Sequence, residues 1–128
     1  MADSVTIQRR VQWIDTDAAG IWHHSVVTRW AEEAEAELHR NLGISELTFG
    51  ATPRVRTQWD FQTPVRFDDL VDVTLTISAL GTSSVTYDFD LRTDAAQVAT
   101  GRIVAVFIDP ETGEKRTWPD DVREALAP

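Results

Sequence analysis

The segment VQWIDTDAAGI, residues 11–21, separates two different patterns of apolar residues. Before and into it, from Val5 to Trp13, apolar residues occupy odd positions and polar residues lie between them. Strict alternation buries one face of an extended chain, so this stretch is predicted to be a strand. Within the segment, Asp15 to Gly20 has the composition of a turn.

After the turn the period changes to that of an amphipathic helix. Apolar residues recur at steps of three and four, while glutamates lie between them and are expected to face solvent. Gly43 is well placed to end this helix. The predicted buried stripe is Val27, Trp30, Ala31, Ala34 and Leu38, and the predicted solvent face is Glu32, Glu33, Glu35 and Glu37.

The remaining sequence returns to alternation after a polar loop, residues 45–53. Short turns at Gly81-Thr82 and Thr93-Asp94 separate the later strands, and Pro119 precedes a short terminal helix. One strand, one long helix and then four strands predict an α+β fold with an antiparallel sheet. The four predicted strands are Val55–Val65, Val71–Ile77, Val85–Leu91 and Ile103–Ile108, and the terminal helix is Asp120–Leu126.

A single helix of this length covers only part of such a sheet. Four of the five tryptophans add a large aromatic surface for so small a protein, so we expect an oligomer that buries part of it between subunits. These residues are Trp13, Trp22, Trp59 and Trp118.

Length and charge exclude several classes of function. The 128 residues suffice for one domain, and 12 basic against 21 acidic residues give a net charge of −9. The electrostatic field of this net negative charge repels nucleic acid and anionic membranes. The absence of cysteine excludes disulfides, cysteine nucleophiles and thiolate metal sites. The chain shows no signal peptide and no apolar run of membrane-spanning length, which predicts a cytoplasmic protein.

Two carboxylates flank the turn, and their spacing permits two interpretations. Asp15 and Asp17 could accept backbone N–H bonds and complement the dipole of the following helix, which is a structural role. Alternatively, one of them acts as a nucleophile or general base on an acyl carbon. In that case the nearby helix N-terminus supplies N–H groups for the developing oxyanion.

The adjacent histidines His23 and His24 are placed at the helix start by this prediction. No third ligand accompanies them, and His39 is too far along the helix, so no metal site is expected. One of them is either a general acid–base group or an ordinary polar residue. Arginines on the predicted strands either pair with carboxylates across the sheet or hold a phosphate. They are Arg54, Arg56, Arg66, Arg92 and Arg102.

Residues 11–21 resemble the signature of hotdog-fold acyl-CoA thioesterases of the 4-hydroxybenzoyl-CoA thioesterase type. That signature has an aspartate, one residue, a second aspartate, two residues, a glycine and an aliphatic residue, which here are Asp15, Asp17, Gly20 and Ile21. The resemblance extends over nearly the whole chain and includes the pieces 52–53, 64–69, 81–84 and 109–113. It implies one hotdog domain over residues 1–128, with a five-stranded antiparallel sheet wrapped around one long helix, that assembles as a dimer or tetramer.

The resemblance also implies a reaction and a set of site residues. Asp17 matches the catalytic carboxylate, Asp15 a structural one, and His24 the residue whose backbone N–H polarises the thioester carbonyl. Asp17 would attack that carbonyl or activate a water, and coenzyme A would leave as a thiol, with no metal or prosthetic group required. Gly20 and His23 would contact substrate beside this carboxylate.

The coenzyme A contacts follow the same resemblance. Family members carry a phosphate-gripping basic cluster before the fourth strand, where this chain has Ser83 and Ser84. Those serines are therefore candidate contacts, and Arg54, Arg56 or Arg92 are candidates to hold phosphate.

Two alternatives stay open. The first is a non-catalytic acyl-binding hotdog protein with Asp17 as a cap, since Val26-Val27 replaces a usual asparagine and tyrosine. The second is a thioesterase acting on an acyl carrier protein, although an acidic carrier would be repelled by the net charge.

Overall fold

The computed structural model describes residues 4–128. Five strands and one long helix account for about half of this part of the chain, and a short 3-10 helix spans Trp13–Asp15. The strands are β1 (Ser4–Arg10), β2 (Arg54–Phe61), β3 (Leu70–Leu80), β4 (Ser84–Arg92) and β5 (Gln97–Val106). The helices are α1 (Val26–Leu42), α2 (Ser45–Thr48) and α3 (Asp120–Leu126). None of the described helices is long and apolar enough to cross a membrane.

The strands form one antiparallel sheet in the order β1-β3-β4-β5-β2. One face of β3 and β4 is buried under α1, where Val71, Val73, Leu75, Tyr87 and Leu91 are fully enclosed. The opposite face is polar and carries cross-strand bonds such as Thr6 to Thr74 and Arg102 to Asp88. The α+β prediction is therefore confirmed, and β2 and β1 are the two edge strands.

Helix α1 buries the predicted stripe, because Val27, Trp30, Ala31, Ala34 and Leu38 are each at most 3% exposed. It ends as predicted at Gly43, which adopts the left-handed conformation with φ of 73° and bonds back to His39 and Arg40. The expectation that Glu35 faces solvent was wrong, since this side chain is buried. Its carboxylate is instead held in an ion pair by Arg54, which approaches from β2.

The predicted first strand was too long. β1 ends at Arg10, and Trp13, expected on the buried face, is 81% exposed. The reason lies in Asp15, whose carboxylate accepts the Gln12 backbone N–H at 2.8 Å and curls the chain into the 3-10 helix. That curl turns Trp13 and Ile14 outward.

The tryptophan surface that suggested an oligomer is mostly packed within the single chain. Trp22 and Trp118 are 5% and 2% exposed, and Trp59 packs against Phe89 with ring centroids 5.4 Å apart. Exposed apolar surface remains elsewhere, notably at Val55 and Phe61 of the edge strand β2.

Candidate active site

Residues 15–23 form a small hairpin that leads into α1. Thr16 and Trp22 pair as an antiparallel bridge. Hydrogen bonds run from Asp17 N–H to the Ile21 carbonyl (2.9 Å) and from His23 N–H to the Asp15 carbonyl (2.7 Å). Gly20 closes the turn at φ of 78°, a conformation that suits glycine because it has no Cβ. The hairpin therefore holds Asp17 opposite Ile21, two residues before His23.

Asp17 projects into solvent from the tip of this hairpin. Its Oδ1 accepts the Ala19 backbone N–H at 2.8 Å, and its Oδ2 has no hydrogen-bond partner among residues 4–128. The alternative interpretation, in which Asp17 caps the helix, does not hold, because α1 starts nine residues later with Ser25 at its N-cap position. The carboxylate therefore has one oxygen held by the turn and one available for chemistry.

His23 and His24 lie in the turn before α1, not inside the helix as predicted. Their rings are in contact, with centroids 4.1 Å apart. The His23 Nδ1 accepts the Ser25 backbone N–H at 3.2 Å and lies 2.8 Å from Ser25 Oγ. The His24 backbone N–H has no acceptor in the described part of the chain. A donor without a partner next to a helix start is what an oxyanion site requires.

Asp15 occupies a different environment from Asp17, since its side chain is fully buried. Its two oxygens accept bonds from Gln12 N–H (2.8 Å) and from Arg29 Nη2 (2.7 Å). This environment suits the structural role that the resemblance implies. Within residues 4–128, no three His, Asp or Glu side chains converge as a metal site would require.

Ser83, Ser84 and Arg54 lie at the opposite end of the sheet from Asp17, whereas Arg92 pairs with Asp72 near the start of β3. Ser83 and Ser84 follow β3, and the hairpin at residues 15–23 contacts the chain just before β3, through Trp22 N–H to the Val65 carbonyl. The eleven residues of β3 separate the two ends by roughly 35 Å. Arg54 belongs to the distant end, because β2 starts beside the end of β5. One chain therefore does not bring Asp17 and these residues together.

The arginines are engaged mostly as cross-strand or ion-pair partners. Arg54 pairs with Glu35, Arg92 with Asp90 and Arg102 with Asp88, while Arg56 lies exposed beside Gln58 Oε1 at 3.3 Å. Their predicted contacts with phosphate stay predictions.

Sequence reasoning named Arg66 but did not place it at the site. Its Nη1 lies 3.4 Å from the Gly20 carbonyl oxygen, so its guanidinium borders the hairpin at residues 15–23. Its backbone N–H bonds to Asp69 Oδ2 at 2.9 Å. The signal in the sequence was its position in the segment 64–69, which the family signature already includes.

A cleft of about 780 Å³ runs along the outer flank of α1. It begins at Arg29, the partner of Asp15, and ends at the loop between α2 and β2. Its walls are mainly apolar, and its polar groups include the buried side chains of Glu35, His39 and Thr48. The full lining includes Ala36, Phe49, Pro53, Arg54 and Ile108. The cleft is large enough for a bicyclic aromatic group.

A buried hydrogen-bond chain crosses the inner end of this cleft. Thr48 Oγ1 donates to the Ile44 carbonyl at 3.0 Å, so it accepts from His39 Nδ1 at 2.6 Å. In a neutral ring His39 Nε2 then accepts from the Tyr87 hydroxyl at 2.8 Å. Burial lowers the pKa of His39, against the opposing charge of Glu35, and burial raises the pKa of Tyr87 well above 10.0. Both groups are therefore neutral at pH 7.

This network predicts a loss of stability between pH 7 and 5.5. The folded His39 stays neutral because its pKa is lowered, whereas in the unfolded chain it takes up a proton near pH 6.5. The unfolded state then binds more protons, so the free energy of unfolding should fall by about 1 kcal/mol over this interval. Urea titrations at both pH values measure it, and His39→Gln should remove most of the difference. Equal pH dependence in His39→Gln and in the exposed control His24→Gln would refute the assignment.

Comparison with known families identifies the chain from its sequence. A family model described as the thioesterase-like superfamily matches residues 11–126, which include the hairpin at residues 15–23 and the strands β2 to β5. The chain belongs to this superfamily. The thioesterase resemblance is thereby confirmed.

Individual relatives of this thioesterase-like protein agree with the family assignment. A 1,4-dihydroxy-2-naphthoyl-CoA hydrolase of Synechococcus sp. (strain WH7803) is 29% identical, over 98% of this chain and 92% of its own length. A solved 1,4-dihydroxy-2-naphthoyl-CoA thioesterase from Synechocystis superposes with a TM-score of 0.86 at 22% identity, covering 96% and 95% of the two chains. A solved gentisyl-coenzyme A thioesterase gives a TM-score of 0.85 at 25% identity, covering 96% and 100%. The hotdog fold is confirmed by these structures.

Proposed function

We propose that this protein hydrolyses the thioester bond of an acyl-CoA, giving a carboxylate and free coenzyme A. The observation that carries the proposal is the hairpin at residues 15–23. It presents the exposed Asp17 carboxylate, with one oxygen unbonded, on the same short segment as the His24 N–H that lacks an acceptor among the described residues. The names of the relatives favour the same reaction.

The chemistry follows from these two groups. The His24 N–H, next to the N-terminus of α1, would stabilise the negative charge that develops on the thioester oxygen. Asp17 would either attack the carbonyl carbon, forming a mixed anhydride that water then cleaves, or remove a proton from an attacking water. In both routes the C–S bond breaks and the sulfur leaves as a thiolate that takes up the proton from water. Neither route requires a metal or prosthetic group.

An aromatic acyl group fits this protein better than a long aliphatic chain. Two of the relatives are named for dihydroxynaphthoyl and gentisyl thioesters, which are hydroxylated rings. The cleft beside α1 combines apolar walls with buried hydrogen-bonding groups, a lining that suits such a ring. Free thiol release should therefore be faster for hydroxylated aryl-CoA substrates than for aliphatic acyl-CoA substrates of equal carbon number. The reverse order would contradict the aromatic assignment while leaving the reaction intact.

We further propose that the active form is a homodimer joined along β2. This strand bonds to β5 on one side, and its other edge pairs with no strand among residues 4–128. Antiparallel pairing of two copies about Gln58 would set Val55 opposite Phe61, which are 61% and 50% exposed. It would also bring the end of β2 that holds Arg54 beside Phe61 of the second copy, whose ring contacts Trp22 at 6.1 Å. The two separated groups of candidate residues would then meet.

Charge reversal tests this pairing. In the proposed register Arg56 lies opposite Asp60 of the second copy, and twofold symmetry repeats that pair. Arg56→Asp should weaken dimerisation by at least about tenfold, because two pairs of like charges then face each other. The double variant Arg56→Asp/Asp60→Arg should restore it in sedimentation equilibrium. A monomeric wild type, or a double variant no better than the single one, would contradict this interface.

The rival functions make different predictions. A non-catalytic acyl-binding protein would bind aryl-CoA without releasing thiol, and a carrier-protein thioesterase would act on acyl carrier protein but not on acyl-CoA. The net charge of −9 disfavours an acidic carrier. Assembly beyond the dimer into a tetramer and a cytoplasmic location stay predictions.

A further inference from the structure

We infer that Arg29 is a positioning residue, which holds the catalytic hairpin in place through the buried carboxylate of Asp15. The inference rests on the proposed function, because it concerns the residues that carry that reaction. It assigns a role to a side chain that touches neither Asp17 nor His24.

Asp15 links both ends of the segment that contains Asp17. Its side chain accepts the Gln12 N–H at 2.8 Å, and its backbone carbonyl accepts the His23 N–H at 2.7 Å. The position of the segment between these two contacts, which includes Asp17, therefore depends on Asp15. The His24 N–H follows directly after the second contact.

The Asp15 carboxylate depends on Arg29 for its charge partner. The side chain is 0% exposed, and among residues 4–128 it receives bonds from Arg29 Nη2 and the Gln12 N–H alone. Removing one member of a buried ion pair leaves a charge that neither water nor a partner compensates. The hairpin would relieve this by moving Asp15 toward water, and Asp17 and His24 would move with it.

Arg29 is itself anchored through Glu33 of the same helix, which in turn contacts β1. It lies in the first turn of α1, and its Nε is 3.9 Å from Glu33 Oε2. Glu33 Oε1 in turn accepts a bond from Arg9 Nε of β1 at 2.6 Å. The chain Arg9, Glu33, Arg29 and Asp15 thus fixes the hairpin relative to the sheet and to α1.

The test compares Arg29→Met and Arg29→Lys with the wild type in steady-state thiol release. Displacement of the Asp17 carboxylate slows the chemical step more than it weakens substrate binding. Arg29→Met should therefore lower kcat by about ten- to a hundredfold, with KM changed less than about threefold. Arg29→Lys should recover part of that loss, because a positive charge remains. The control Arg102→Met, which breaks the ion pair with Asp88 on the polar outer face, should keep the wild-type kcat.

Two outcomes would overturn the inference. Arg29 also lines the cleft, so a rise in KM at unchanged kcat would assign it to substrate contact instead. A fall in melting temperature at unchanged kcat would leave it a purely structural role.

Amide hydrogen exchange provides a readout that does not depend on catalysis. In Arg29→Met the exchange of residues 12–25 should accelerate at least about tenfold, while that of β3 and β4 stays as in the wild type. Unchanged exchange in residues 12–25 would refute the inference even if the wild type proved inactive. If the wild type lacks thioesterase activity but Arg29→Met still shows this local acceleration, the proposed function alone is refuted.

Discussion

Asp17→Asn should abolish nearly all thiol release while the protein stays folded. The amide cannot act as a nucleophile or base, and such groups contribute about a hundred- to ten-thousandfold to the rate. The amide oxygen can still accept the Ala19 N–H bond that the carboxylate accepts at 2.8 Å, so the melting temperature should change by less than about 2 °C. Thiol release and thermal melts on the same samples measure both effects.

The chain supplies a matched control for this substitution. Asp109 forms the same kind of turn, because its Oδ1 accepts the Glu111 backbone N–H two residues ahead at 2.9 Å. Asp109→Asn therefore makes the same chemical change in a similar turn that holds no catalytic group, and it should keep wild-type activity. Full activity in Asp17→Asn would show that Asp17 is not catalytic, and a large drop in its melting temperature would show that its role is structural.

Gly101→Ala should produce the largest loss of stability from a single methyl group. Gly101 pairs with Trp59 across β2 and β5, and the Trp59 ring lies directly over its Cα. A Cβ on residue 101 would overlap atoms of that ring, which also packs against Phe89. Overpacking of this kind costs about 1–3 kcal/mol, measurable by urea unfolding.

A second background separates this clash from other causes. In Trp59→Leu the space above residue 101 opens, so adding Gly101→Ala there should cost under about 0.5 kcal/mol. An equal cost in both backgrounds would show that the ring is not the obstacle.

Local sequence patterns predicted those helices and strands in which the spacing of apolar residues alone determines which face is buried. The three- and four-residue spacing of Trp30, Ala34 and Leu38 is sufficient to place one face of α1 against the sheet. The alternation in β3 and β4 is similarly self-contained. These are properties of a single element, and they appear in the sequence without knowledge of its neighbours.

The errors arose where a distant partner decides the outcome. Glu35 is buried because Arg54, nineteen residues away, neutralises it, and no local pattern contains that fact. The start of α1 was misplaced because the hydrogen bonds of the hairpin, such as His23 N–H to the Asp15 carbonyl, use backbone groups that a helix would otherwise occupy. Trp13 was misplaced for a similar reason, since the Asp15 carboxylate ends the strand before it.

The candidate site was only partly visible in the sequence. The spacing of Asp15, Asp17 and Gly20 marks the candidate hairpin by family resemblance, and the structure adds the bonding that distinguishes a buried carboxylate from an exposed one. Arg29 lies fourteen residues from Asp15, a separation that carries no signal in one sequence. The distance between Ser83 and Asp17 likewise depends on the length and direction of β3.

The most direct test of the central claim is the product balance on a hydroxylated aryl-CoA incubated with the wild-type protein. We expect free thiol and aryl carboxylate in a one-to-one ratio over many turnovers, without added metal or cofactor. Binding of the aryl-CoA with neither product formed would contradict the claim, and would make the protein an acyl-binding member of its superfamily.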